Sequence, residues 1–559
     1  MGLTGTAIYG NIHSRFAISE QFRSFTALST ALNEAMHRLQ GYSKKLCILY
    51  AVILIAVCFV VSLYYQAAFV FPLEVVKTRD MTIQKQFDHF VQLRSLLSEL
   101  KTILLEAKRK VPSMNTTVNT EAIQNYKETE IAAIQKGLKK LSSQTGAKNL
   151  RFPRRAETAH VDCGRVLRGD IAYTTAIAAK RPVLAKKSVN MSCEAIRKRV
   201  LPPIPMQKVE FGVAFARVVF KDYIQIEEEL RSSYHPQNFF CYSIDKKADK
   251  DFHEKMKQLT SCIPNTFLTT EEYDVDSAGH FMHHAFYNCM RLLTKEKGWG
   301  YILLQQNHDI AIKSTYEMVE IYKLLGGAND VEITPCPASR WNHSMKWDAR
   351  SLKLFVNESA TSPSQLNATI TFAKGSTSGS LSREAVDWLV STVNLTILLN
   401  QLNSRPFGVD ELLLQSLQIS DELDMPGRFT SECLLKRKKN TDYISRMAHW
   451  VYGGPDKCRS RRVRKSVCIL GIEDFQLLSK YPNLMANKML PDFDYSVVEC
   501  MHELIFNRTF LNQIDHPVDK QYYSNMVNVK YHKNRLKPDP NYKLECVSNL
   551  IEWAQYPYP

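Results

Sequence analysis

The sequence has no G-x-G-x-x-G and no G-x-x-x-x-G-K-[ST], so neither a dinucleotide fingerprint nor a P-loop is supported. It also has no CxxC pair and no Cys/His cluster at zinc spacing, which leaves disulfides as the better use of 13 cysteines. Acid is the scarcer charge: 56 Asp and Glu against 72 Lys and Arg gives a net +16. That surplus suits nucleic acid, an acidic membrane or an anionic substrate. With 45% apolar and 23% charged residues, the 559-residue chain is otherwise ordinary for a globular protein with one large or two smaller domains.

One stretch lacks charge altogether. From Leu46 to Phe71 the chain is almost wholly apolar, long enough to cross a bilayer core as a helix. Lys44 and Lys45 precede it, Tyr64 and Tyr65 suit the far interface, and Pro72 closes it. The leader before it is too long for the n-region of a signal peptide, and a run without a polar face does not suit a buried core helix. A cytosolic tail (1–45), a transmembrane anchor (46–71) and a stem (72–160) are therefore expected. Flanking charge does not orient the span, because Lys77 and Arg79 lie beyond it. Glycosylation sequons do. Asn115, Asn190, Asn342, Asn357, Asn367, Asn394 and Asn507 all begin N-x-S/T, and none precedes the span. Cys47 and Cys58 lie in the span, leaving eleven cysteines beyond it. A lumenal, oxidising location follows, with at least one thiol left free or paired between chains. Nucleic acid then drops out as a partner.

Phe90, Leu93, Leu97, Leu100 and Leu104 recur at helical steps within 82–110. This fits a stem that self-associates or a helix packed on its own domain, and the pattern alone does not decide. From Val209 onward strands and helices alternate. Strands are expected at 209–220, 238–245, 265–269 and 300–305, and helices at 222–234, 251–262, 278–293 and 315–326. Such alternation predicts an α/β domain with a mostly parallel sheet covered on both faces, binding ligands beyond the carboxyl ends of its strands. Asp245 and Asp309 stand at such ends, either to serve a nucleotide or merely to cap helices. Segment 342–377 reads as loop-rich surface and 383–402 as one helix.

Three groups carry candidate chemistry. Glu411 follows a Pro/Gly turn at the start of an apolar helix, where a general base can be held at a cleft rim or an acid can simply favour the helix dipole. The basic run 458–465 passes straight into the apolar VCILG, so Lys465 is expected at the entrance to a strand, where it could face a diphosphate; Lys488 follows. Trp450 and Tyr452 fit a sugar-stacking pair or, more commonly, core aromatics.

In order along the chain stand DCGRVLRGD (162–170), HPQNFFCYSID (235–245), SCIPNTF (261–267), YNCM (287–290), GWGYILLQQNHDIAIKS (298–314), GSTSGSLSRE (375–384), GVDE (408–411), HWVYGG (449–454), KSVCILGIEDF (465–475) and LMANKM (484–489). Over residues 160–510 this series resembles the core-2/I-branching β-1,6-N-acetylglucosaminyltransferases, a Golgi family that also includes protein xylosyltransferases. The resemblance implies a GT-A type fold across 161–530, with 531–559 as a C-terminal tail. It also implies an inverting transfer from UDP-GlcNAc with no cofactor and no metal ion, on a type II Golgi membrane protein. Glu411 matches the family's general base, and Lys465 and Lys488 match its two cations on the diphosphate. Val218 and Asp245 match positions around the uridine, and Trp450 and Tyr452 match acceptor-side aromatics. The resemblance also implies the disulfides Cys163–Cys500, Cys193–Cys262, Cys241–Cys289 and Cys458–Cys468, with Cys336, Cys433 and Cys546 left over.

The sequence departs from that pattern in places. Lys465 replaces Arg, Gln306 and Asn307 replace a cysteine-glycine pair, and Ser339 stands where an acidic acceptor contact is expected. The expected partners are a UDP-sugar donor and a glycan or glycoprotein acceptor. A xylosyltransferase-like enzyme and a non-catalytic lumenal protein that binds a glycan or nucleotide sugar are the alternatives.

Overall fold

The computed structural model describes residues 150–185, 188–437, 443–451 and 455–546. The expected tail, membrane span and most of the stem, together with Asn115 and Tyr452, lie outside these residues. Among the described residues no helix is long and apolar enough to cross a membrane.

The strands that matter for the site are β1 (Gly212–Val219), β2 (Phe239–Ile244), β3 (Thr266–Leu268), β4 (Trp299–Gln306), β5 (Ile310–Ala311), β6 (Asp330–Val331), β7 (Gly379–Ser382), β8 (Arg446–Ala448) and β9 (Met485–Asn487). The central sheet has the order β3-β2-β1-β4-β7-β6. Its β3, β2, β1 and β4 run parallel, and β7 is antiparallel to both β4 and β6. This is the expected mostly parallel α/β sheet.

Alternation along β1 explains why two cores form. Val213, Phe215 and Val219 point into one apolar cluster, and Ala214, Ala216 and Val218 into the other. The first is covered by α1 (Tyr223–Ser233), α2 (Lys250–Cys262), α4 (Thr315–Leu325) and α5 (Tyr495–Phe510), and the second by α3 (Met282–Leu293). All eight residues of β1 are buried, as a strand covered on both faces requires. Local signals set the helix ends. Asp249 caps α2, and Ser314 with Glu317 forms a reciprocal capping box on α4. Gly326 ends α4 in the left-handed region at φ 57°.

Several expectations need correction. The helix expected over 383–402 is interrupted. An α-helical start at Arg383–Asp387 passes into a π-turn at Trp388–Thr392, and helix resumes only at Thr396–Asn403. Val393, just after the π-turn, pairs with Phe355 in an isolated bridge, so tertiary contact overrides helical continuity there. The strand expected at VCILG shortens to Val467–Cys468. The boundary expected at 530/531 falls inside the helix Val527–Leu536.

Five disulfides are present: Cys163–Cys500, Cys193–Cys262, Cys241–Cys289, Cys458–Cys468 and Cys433–Cys546. The last corrects the expectation that Cys433 and Cys546 are left over, a pairing of residues 113 apart that no local motif announces. Cys336 is free. Of the sequon asparagines, Asn190, Asn357, Asn367 and Asn394 are exposed, whereas Asn342 and Asn507 are half-buried.

Non-reducing peptide mapping should find Cys433 joined to Cys546 and Cys336 alone alkylated among the described cysteines. Replacing Cys433 and Cys546 by Ser should lower unfolding stability by about 2–5 kcal/mol. A peptide joining Cys336 to any other cysteine would contradict this arrangement.

Candidate active site

Strands β1 and β4 pair in parallel, so their carboxyl ends lie side by side, and a second, smaller sheet has the order β8-β9-β5. The loop leaving β4 turns at Asn307–Asp309 and returns as β5, which pairs with β9. Buried groups hold this loop from beneath. The Arg217 guanidinium donates to the carbonyls of Asn307 (3.1 Å) and Asp309 (2.6 Å). The amide of Ala311 donates to Glu229 (2.9 Å), whose other carboxylate oxygen meets His502 Nε2 at 3.0 Å. On the upper side the Asn307 side chain accepts from the amides of Phe220 (2.7 Å) and Lys221 (3.2 Å).

Asp309 organises the next layer. One of its oxygens accepts from the Gln306 amide (2.6 Å) and the other from Asn487 Nδ2 (2.7 Å). Arg446 Nη1 lies 3.8 Å from that second oxygen and donates to Gln306 Oε1 at 2.8 Å. Arg446 is placed by Asp330, a fully buried acid whose carboxylate accepts from the amides of Ile444 (3.1 Å) and Ser445 (2.6 Å). The sequence reading passed over both Arg446 and Asp330. No local pattern marks either, because only the fold brings residues 330 and 445 together.

The expected cations meet here. Lys488 follows β9, and its ammonium pKa is lowered by burial and by the nearby Arg464, Arg446 and Lys465, against the attraction of Asp309. Lys465 is not at a strand entrance. It sits with Ser466 in the tight turn of a hairpin, Val463–Arg464 against Val467–Cys468, at φ 51° and 61°. Two left-handed residues in succession are what a two-residue hairpin turn demands, and they leave Lys465 exposed at its tip. His308, against Asp222 at 2.8 Å, is held below its usual pKa by burial.

On the other side of Arg446 lie the carboxylates. Gly408, at φ 61°, leads into a tight turn Val409–Glu411, and the apolar helix Leu413–Ile419 follows. The Glu411 carboxylate accepts from Arg340 Nη2 at 2.8 Å, and the same nitrogen donates to the Gly408 carbonyl at 2.7 Å. The Arg340 guanidinium also lies 5.1 Å over the Phe407 ring. The Glu411 side chain is 31% exposed, open enough to meet a substrate. Its neighbour Asp410 differs. Its carboxyl abuts Gly279, and burial, then the adjacent Glu411, push it up to about 6, with Thr377 opposing. Glu332 is likewise raised by burial, with Arg446 opposing. The free Cys336 lies near Glu411, Arg340 and Lys374, and burial raises its thiol to about 11.

The remaining candidates take defined places. Val218 is one residue short of the end of β1, 6% exposed, between Ser243 and Gln306 on its neighbouring strands. Asp245 follows β2 and accepts from the amide of Lys247 at 2.9 Å, as a turn-forming acid does. Trp450 bridges Val467 at the edge of the hairpin and is 49% exposed. Lys488 thus lies within electrostatic reach of Arg464, Arg446 and Lys465, Glu411 is held by Arg340, and Asp245 and Val218 stand at their strand ends.

The mostly parallel sheet with its covering helices fits a GT-A-like α/β domain. Residues 213–479 match the family model described as Core-2/I-Branching enzyme. The chain is similar to "Beta-1,3-galactosyl-O-glycosyl-glycoprotein beta-1,6-N-acetylglucosaminyltransferase 3" of Rattus norvegicus, 26% identical over 382 residues, covering 64% of this chain and 85% of the relative. The protein of the same name in Homo sapiens is 28% identical over 369 residues, covering 62% and 82%. A relative from Bovine herpesvirus 4 (strain LVR140) shares 28% over 369 residues, again covering 62% and 82%. The chain thus carries a domain of the core-2/I-branching type over residues 213–479, and it is a glycosyltransferase.

Two outcomes follow from the turn at Gly408. A Cβ there would fall 1.9 Å from Arg340 Nη2, so Gly408→Ala must push the guanidinium off Glu411. Turnover should fall about a hundredfold while UDP affinity stays within twofold, checked by UDP-release kinetics and calorimetry. Asp410, raised to about 6, is protonated in the fold over a range where the unfolded chain is ionised. Its contribution therefore weakens as pH rises from about 4 through 6. Across that window the unfolding stability of Asp410→Asn should gain on the wild type; a constant difference would contradict the raised value.

Proposed function

We propose that the chain transfers N-acetylglucosamine from UDP-GlcNAc, with inversion and without a metal ion, in β-1,6 linkage to a glycan acceptor, as in O-glycan branching. What supports this reading is an accessible carboxylate, Glu411, held by Arg340, in a domain where Lys488 feels both Lys465 and Arg446. That the relatives are β-1,6-N-acetylglucosaminyltransferases supports the sugar and the linkage.

In this mechanism Glu411 takes the proton from the acceptor hydroxyl. The hydroxyl oxygen forms the new bond to the anomeric carbon as the bond to UDP breaks on the opposite face. Lys465 and Lys488 receive the charge that develops on the departing diphosphate, work that a metal ion does in many enzymes of this kind. Arg340 aims the carboxylate, since it grips both Glu411 and the turn that carries it. Asp410 does not compete for the role of base, because its carboxyl faces Gly279 and Thr377. Asp245 and Val218 border the uridine, and Trp450, with Tyr452, borders the acceptor. The anchor over 46–71 holds the enzyme in the Golgi membrane with this domain in the lumen, and the helix expected over 82–110 is the surface through which two copies would pair.

Three measurements test this. Glu411→Gln should lower turnover by a factor on the order of 100 or more while UDP still binds. Lys488→Ala should weaken UDP binding by about tenfold or more, as loss of a charge-assisted contact does. Turnover of wild-type enzyme should survive EDTA. Offering UDP-GlcNAc and UDP-xylose side by side fixes the donor. A glutamine variant as fast as wild type removes Glu411 from the chemistry, and inactivation by EDTA removes the two-lysine account.

A further inference from the structure

The hairpin beside the cleft carries more positive charge than a donor diphosphate requires. Arg461, Arg462, Arg464 and Lys465 are all exposed. No acidic side chain among the described residues forms a salt bridge with any of them, and Asp309 and Glu473 are paired elsewhere, with Arg446 and Arg181. If Lys465 and Lys488 meet the diphosphate, as proposed above, the arginines are left over.

Strand register decides where they point. Arg464 stands directly opposite Val467, and Val467 is bridged on its other edge by Trp450. Opposed residues on neighbouring strands project from the same face. Arg464 and Trp450 therefore flank Val467, two strand spacings or about 10 Å apart. Arg462, two residues before Arg464, shares that face. Val463 turns the other way, into a small core with Val451, Cys458 and Cys468, and the Cys458–Cys468 disulfide closes the hairpin behind it. The result is a braced three-strand surface that presents one large ring, 49% exposed, beside guanidinium groups. Arg464 is also the charged neighbour that acts most strongly on Lys488, so this surface borders the donor side of the cleft.

We propose that this face recognises an anionic sugar on the acceptor glycan. The Trp450 ring stacks against a pyranose, and Arg464 with Arg462 binds a carboxylate or sulfate ester carried by that sugar or its neighbour. A guanidinium suits both groups, because its planar fork pairs two nitrogens with two oxygens. The inference rests on the acceptor-side reading of Trp450 and adds to it the charge of the preferred acceptor.

The test uses the full chain and the double variant Arg462→Ser/Arg464→Ser, with one O-glycan acceptor in neutral, sialylated and sulfated forms. For wild type, the anionic forms should have the lower KM. The double variant should raise KM for them by about tenfold, with kcat and UDP affinity within twofold and the neutral form unaffected. Whichever anionic form responds identifies the group as carboxylate or sulfate. Equal loss on the neutral acceptor, no loss at all, or a fall in UDP affinity matching the fall in turnover would each overturn the proposal. A binding arm separates it from the donor assignment. Immobilised Glu411→Gln protein should retain anionic over neutral glycans and lose that preference with the two arginines removed, even if UDP-GlcNAc proves to be the wrong donor. Binding of any polyanion equally well, DNA included, would show a non-specific basic surface and sink the idea.

Discussion

The site depends on where one buried guanidinium is held. Arg446 is fastened to Gln306 at the end of β4 and lies against Asp309, which in turn grips Asn487, the residue before Lys488. On its other side its charge opposes the burial that raises Glu332 and Asp410. An arginine so placed satisfies two needs. It opposes the burial that raises Glu332 and Asp410, and through Asp309 it ties the strand that precedes Lys488 to the end of β4. Burying such a charge is costly unless it is paired, and the fold pairs it from the β4 end, through Gln306, and from the following loop, through Asp309. The buried Arg217–Glu229–His502 set does the same beneath the loop, so the segment 307–311 is fixed from both sides.

That construction explains the division of labour between adjacent acids. Asp410 and Glu411 are neighbours in sequence, yet the turn sends one carboxyl inward against Gly279 and leaves the other reachable beside Arg340. In the proposed mechanism the base must meet an acceptor hydroxyl, which needs access as well as position. The inward acid instead stiffens the turn from behind, together with His283, which donates to the Asp410 carbonyl and is held neutral by burial, its pKa lowered to about 4.

Much of the fold was legible in the sequence because it rests on local periodicity. The apolar runs and the helices between them gave the sheet, with strand ends shifted by a few residues. What failed was set by distant contacts. The break at Trp388–Thr392 is stabilised by packing on 355, and the Cys433–Cys546 bridge joins segments that nothing local relates. In the site, Glu411 and Lys488 were marked by motif. Lys465 was marked too, but its placement in a turn was missed, because the left-handed pair Lys465–Ser466 lacks the glycine or asparagine that usually announces one. Arg446 and Arg340 were invisible for a plainer reason: an arginine signals nothing until the fold supplies the acid it serves.

The most direct test of this arrangement is UDP affinity and turnover measured side by side in Arg446→Met, with Arg446→Lys as the charge-preserving control and a melting curve to establish that each variant is folded. Loss of the shared clamp should weaken UDP binding and lower kcat together, each by about tenfold or more, with partial recovery in the lysine variant. A folded methionine variant that binds UDP and turns over at wild-type levels would show that the two halves of the cleft do not depend on Arg446.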